Sequence, residues 1–269
     1  MRWFRALILS FPLCAGWPAL AQAQTQGAQT SEFIHVITTT VRADAGGEHE
    51  TFQKRIKAAA EKVGAPQPWT TFSVMMGGPG RTYHIVLPFN KWSEVDGWMN
   101  VREMLVKAFG EAEGTKMLRA GVASIERNET AVYRLLPDLS TRPQALASPA
   151  AYVHLVVTEV EPAMVPTFRS YLAKVREAQE KSSRAPTAIR RVAVLGENNT
   201  YVTAVPFTKF AERDDRPTNL ELLQEAFGEA EAQRLEETRL KSTRNMRQMV
   251  LVYRPELSRP KAGPRAAAR

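Results

Sequence analysis

Cysteine is nearly absent: Cys14 is the only one in 269 residues, so disulfides and thiolate metal clusters cannot be what stabilises the fold. Histidine is scarce too. The four are His35, His49, His84 and His154, and none falls in the H-E-x-x-H spacing that puts two zinc ligands on one helix face. The chain has no G-x-S-x-G, no P-loop and no G-x-G-x-x-G, which disfavours a serine hydrolase, an NTPase and a dinucleotide enzyme. Gly77-Gly78-Pro79-Gly80 is glycine-rich, but it joins two strand patterns instead of opening a helix, so it makes no phosphate cradle. After the first 23 residues no run approaches the roughly 20 apolar residues that span a bilayer.

With 44% hydrophobic and 24% charged residues, the chain is neither wholly disordered nor polytopic in a membrane. The net charge of +8 invites a nucleic-acid reading. Arg2 and Arg5 open the chain, however, and Arg259, Lys261, Arg265 and Arg269 close it; removing these six cations leaves +2 for residues 6 to 258. The body is nearly balanced, and no nucleic-acid partner is expected.

Residues 1 to 23 read as a secretory signal: a basic start, an apolar run from Ala6 to Leu13, and Ala19-Leu20-Ala21 or Ala21-Gln22-Ala23 as the cut. The expectation is an exported protein, periplasmic or secreted, with no transmembrane segment once the signal is removed and no thiol left. Pro12-Leu13 before Cys14 does not suit lipidation.

A repeat organises the remainder of the chain. Ala108-Phe109-Gly110-Glu111-Ala112-Glu113 returns as Ala226-Phe227-Gly228-Glu229-Ala230-Glu231, an offset of 118 that also carries Pro137-Asp138-Leu139-Ser140 onto Pro255-Glu256-Leu257-Ser258. This period is too long for a solenoid, so each copy is a domain-sized unit. The expected organisation is a polar lead-in over 24 to 31, one repeat over 32 to 140, a linker over 141 to 150, a second repeat over 151 to 258, and a basic disordered tail over 259 to 269. In each copy β-branched runs (Phe33 to Val41, Tyr152 to Val160) precede helices with apolar residues at helical spacing. Two strands come next, around Gly77-Gly78-Pro79-Gly80 or Gly196-Glu197-Asn198-Asn199, whose glycines and asparagines suit positive φ. A second helical stretch, closed at Gly110 or Gly228, and last strands over Thr130 to Leu136 and Met249 to Tyr253 complete the unit. The order β-α-β-β-α-β, twice, is an α+β fold of two tandem ferredoxin-like repeats.

This pattern resembles the dimeric α+β barrel superfamily in its fused form, where two ferredoxin-like sheets in one chain enclose a cavity. The AFGEAE and P-(D/E)-L-S blocks are similar to those of exported bacterial barrel proteins. The resemblance implies a small-molecule ligand between the sheets, and a homodimer is a further possibility. Chlorite dismutase-like members hold haem through a helical histidine of the C-terminal half; the only histidine here in that half is His154, in a strand pattern. Haem is therefore disfavoured, and neither cofactor nor metal is expected. Antibiotic-biosynthesis-type monooxygenases of this architecture need only a shaped cavity, and that reading stays open, as does an envelope interaction module.

The candidate ligand residues come from the repeat. His35 and His154 occupy matching places in the first strands; a pair of imidazoles there can bind an anion or act as acid and base, or can be core histidines, since parity does not say which face meets the cavity. Tyr83 and Tyr201 open matching strands, where they can stand at the barrel mouth or simply pack. Arg190 and Arg191 adjoin in one strand, so one of them points inward to an anion unless both are solvated. Trp92, matched by Phe210, offers a stacking surface or helix-sheet packing.

Overall fold

The structure is a computed structural model that describes residues 31–141 and 150–260. The expected signal, most of the expected lead-in, the core of the expected linker and the expected tail beyond residue 260 lie outside the described residues. Each repeat contributes four strands. The first has β1 (Phe33–Val41), α1 (Gly46–Val63), β2 (Thr70–Met76), β3 (Thr82–Phe89), α2 (Val101–Phe109), α3 (Glu111–Ala123) and β4 (Ile125–Leu135). The second has β5 (Tyr152–Val160), α4 (Val165–Lys181), β6 (Ile189–Leu195), β7 (Thr200–Phe207), α5 (Asn219–Phe227), α6 (Glu229–Ser242) and β8 (Thr243–Tyr253).

The strands close into one antiparallel barrel in the order β1-β3-β2-β8-β5-β7-β6-β4. Each repeat supplies half of it in ferredoxin-like order, and β2 with β8 and β4 with β6 form the two seams. Matching strands lie half-way round the barrel and run the same way, so the pseudo-twofold axis coincides with the barrel axis. The barrel is complete within one chain.

The P-(D/E)-L-S blocks are clasps across these seams. The Leu257 carbonyl accepts from Trp69 Nε1 (2.8 Å) and Thr71 Oγ1 (3.2 Å), and Ser258 Oγ accepts from the Thr71 N–H. In mirror fashion Ser140 Oγ accepts from the Arg190 N–H at 2.9 Å, and the Leu139 carbonyl accepts from the Arg190 guanidinium. Arg259 continues the first clasp by pairing with Trp69 and lying over its indole at 5.8 Å. Arg259, expected in the tail, thus satisfies the backbone of Trp69 just before β2.

The helical stretch closed at Gly110 and Gly228 is two helices in each repeat, because both glycines adopt positive φ (86° and 83°). A new helix then starts with glutamates in its first turn, where they face the unpaired N–H groups. The last strands are longer than expected, starting at Ile125 and Thr243. Their first halves (Glu126 to Thr130, Arg244 to Gln248) are exposed and, apart from Met246, polar, so no apolar alternation marks them.

Candidate functional site

Closure gives each strand one face toward the barrel and one toward the helices. On β1 the barrel face is Ile34, Val36 and Thr38, and on β5 it is Val153, Leu155 and Val157. The intervening residues pack on helices, as Ile37 does against the α1 cluster. His35 and His154 therefore point away from the barrel interior, and the expectation of two imidazoles in the cavity is corrected. His35 stacks on Trp98 (ring centroids 6.2 Å apart). His154 shares a hydrogen bond between Nε2 and Gln248 Oε1 (3.0 Å) in a second crevice, between the sheet and the helices of repeat two. Burial lowers the pKa of both.

Tyr83 and Tyr201 also face the helices, not the barrel mouth. Tyr83 donates to Glu50 Oε1 (2.9 Å) and lies 5.0 Å from His49, and its pKa is pushed up to about 12 by burial and by Glu50. Tyr201 packs on Phe168. Trp92 lies against Phe33 and Phe89, as Phe210 does against Tyr152 and Phe207, outside the barrel, and Trp92 keeps about half of its surface exposed. Arg190 and Arg191 do face opposite sides, yet neither is solvated: they are 2% and 3% exposed. Arg190 reaches Leu139 O and Gln179 Oε1 on the helix side. Arg191 enters the barrel, where its Nη2 donates to Ser31 O (2.8 Å). Burial pushes each guanidinium down to about 10, so both stay charged at neutral pH.

The barrel encloses a cavity of about 500 Å3. One end is closed by buried Arg191, Ile189, Ala150 and Thr70; at the other, Glu129, Glu197 and Arg247 are exposed. Between them the wall is apolar, with Val36, Phe72, Val86, Leu155, Met249 and Leu251. Toward the charged mouth stand His84 and Tyr133. His84 Nδ1 shares a hydrogen bond with Thr38 Oγ1 (3.0 Å), and its Nε2 has no partner among the described residues. Burial and the nearby Arg247 cation push its pKa down to about 4, so the ring is neutral at pH 7. Tyr133 donates to Glu197 Oε2 (3.1 Å) and is held far above the usual phenol range by burial and that carboxylate. Strand order puts Glu129 on β4 opposite Arg247 on β8, and they are mates under the 118-residue offset.

Sequence reasoning missed His84, Tyr133, Glu197 and Arg247. The signal was present in β3: if Tyr83, Ile85, Leu87 and Phe89 form the large apolar face against the helices, His84 and Val86 must face the barrel.

The architecture answers to a known group. The chain has the dimeric α+β barrel fold. No family model matches it, and no curated protein matches it in sequence. Among solved structures it is similar to an anthrone oxidase-like protein (13% identity, 90% of this chain and 98% of that one, TM-score 0.50). It is also similar to a mutant chlorite dismutase from Candidatus Nitrospira defluvii in complex with cyanide (8%, 87% and 95%, 0.51). A third is a monooxygenase-like protein from Fusobacterium nucleatum (11%, 86% and 95%, 0.51). Such identities carry the fold alone.

A haem held by a helical histidine does not fit the described residues. His49, on α1, has both ring nitrogens engaged, Nδ1 with Ser124 Oγ (3.2 Å) and Nε2 with Gln53 Nε2 (3.3 Å). The helices of the second repeat contain no histidine. Nor do the described residues bring three or more His, Cys, Asp or Glu side chains together as a metal site would need. Among them no helix is long and apolar enough to cross a membrane.

Proposed function

We propose that this chain is an exported binding protein that holds a small, largely apolar molecule inside the barrel, with the molecule's polar group toward His84 and Tyr133. The observation that carries the reading is the cavity of about 500 Å3 with an apolar wall, one closed end and polar groups gathered near the open one. Small-molecule sites have this size and this division of labour: apolar walls supply affinity and a few placed polar groups fix orientation. Neutral His84 offers a hydrogen bond, not a charge, which suits a hydroxyl or carbonyl on the ligand.

The same cavity supports a second reading, a cofactor-independent oxygenase or isomerase with His84 as base. A general base works best with a pKa near the operating pH, and His84, pushed down to about 4, lies well below neutrality. That favours binding over turnover.

The test uses N-phenyl-1-naphthylamine, a neutral apolar fluorophore, on the mature protein. Ala131 lines the barrel, so Ala131→Trp is expected to weaken the probe at least tenfold while circular dichroism stays unchanged. Equal binding by the variant overturns the barrel site. Export predicts that N-terminal sequencing of the protein from its host begins at Gln22 or Gln24; an intact Met1 in the soluble fraction removes that part of the proposal.

A further inference from the structure

The two repeats give an internal comparison at the turn after β3 and β7. The offset of 118 keeps Lys91/Lys209 and Glu94/Glu212, and in both copies the glutamate Oε1 accepts from the lysine backbone N–H at 3.0 Å. The turn thus starts alike in both copies, although its 3-10 segment runs Trp92–Gly97 in one and Phe210–Arg213 in the other. Among the side chains that differ, two change from apolar to cationic: Val95 becomes Arg213, and Trp98 becomes Arg216. In repeat one, Trp98 stacks on His35 and meets Phe89 edge-on (5.7 Å), and Val95 packs with it against Phe33 and Phe89. Apolar side chains fill that crevice.

In repeat two the corresponding space is a cavity of about 450 Å3 between the sheet and α4, α5 and α6, on the other face of the sheet from the barrel interior. Arg213 and Arg216 line it, both stacked over Phe207 (5.7 and 5.6 Å), the counterpart of Phe89. Each has a buried Nη1 with no hydrogen-bond partner among the described residues. The acids nearby are committed elsewhere. Glu212 attracts Arg216 through space but accepts its hydrogen bonds from Thr208 and Lys209, and Glu236 is paired with Arg239. Asp214 and Asp215 are exposed and, among the described residues, form no ion pair with either arginine. Two neighbouring guanidinium groups, partly desolvated, repel each other, and Glu212 attracts only Arg216 of the two; a planar carboxylate would satisfy both unpartnered Nη1 groups by hydrogen bonds. The rest of the crevice is largely apolar and aromatic, with Val156, Phe168, Leu172 and Leu222.

We infer that this crevice is a second binding site, one that takes a small organic carboxylate with its head on Arg213 and Arg216 and an apolar or aromatic body toward Phe168 and Leu222. The inference does not depend on the barrel being occupied. The probe is 4-bromophenylacetate, titrated calorimetrically into the mature protein. Installing the repeat-one residues, Arg213→Val with Arg216→Trp, is expected to weaken binding at least tenfold, and 4-bromophenylacetamide, which lacks the charge, is expected to bind at least tenfold more weakly than the acid. Ala131→Trp, which fills the barrel, should leave the affinity unchanged. Loss of binding on Ala131→Trp would place the ligand in the barrel and overturn the inference, as would inorganic phosphate competing on equal terms with the probe. Should the double variant fail to fold, Arg213→Gln with Arg216→Gln replaces it, and the anomalous bromine signal in a crystal must lie beside the two arginines; a bromine found elsewhere also overturns the assignment.

Discussion

Lowering the pH from 7.5 to 4.5 is expected to remove about 2 to 3 kcal/mol of folding stability through His84 alone. In the unfolded chain an imidazole takes up its proton near pH 6.5; in the fold, burial and Arg247 hold His84 neutral down to about 4. Between these values the unfolded state binds more protons than the native one, so stability falls as the pH falls through this window and is fully present above 6.5. His35, His49 and His154 are shifted in the same direction, each chiefly by burial, and they add to the slope. Carboxylates with lowered pKa, such as Glu50 beside Arg254 and Tyr83, give way only at lower pH. Urea unfolding at pH 7.5, 5.5 and 4.5 measures the effect. His84→Leu should flatten the profile between 6.5 and 4 relative to the unmodified protein. A wild-type profile that is level over this range would show that His84 titrates freely and does not sit buried against Thr38.

The second large effect is expected at Gly121, on α3. A Cβ there would lie 2.2 to 2.3 Å from the Phe52 ring carbons, far inside contact distance. Phe52 is itself buried in the α1 core with Ile56 and Leu105, so its ring has little room to yield. In an exposed helix, Gly→Ala stabilises by about 1 kcal/mol through backbone entropy. Here overpacking, at about 3 kcal/mol, outweighs it, and Gly121→Ala should lose about 2 kcal/mol. Adding Phe52→Leu should recover part of the loss, since the smaller side chain vacates the position the new methyl needs. A double-mutant cycle by thermal unfolding checks this; additive effects of the two substitutions would mean that α3 moves away from α1 instead.

How much of this was legible beforehand differs from element to element. β1 and β5 begin and end where the β-branched runs do, because these strands are covered on both faces and their composition states it. The positive φ at Gly77, Gly196 and Asn199 comes from turn chemistry that only a few residue types satisfy. Arg81, with φ of 56°, gives no such warning, since arginine carries no preference for the left-handed region. The polar halves of β4 and β8 were invisible for the opposite reason: their strand character comes from pairing with neighbours, not from their own residues.

The candidate site was the least legible part. Sequence alone determined the duplication, the order of elements in each copy, the helix break at Gly110 and Gly228, and the alternation that puts His35 with Ile37 and His84 with Val86. Only the tertiary structure decided which of those faces looks into the barrel. Both faces of each sheet are covered, one by helices and the other by the opposite sheet, so both carry apolar side chains and hydrophobicity cannot tell them apart. Closure of eight strands settles it, turning His35 and His154 outward and His84 and Tyr133 inward. The same closure makes Arg191 part of the barrel's closed end while its neighbour Arg190 fastens the seam, a division that no property of the two adjacent arginines could express.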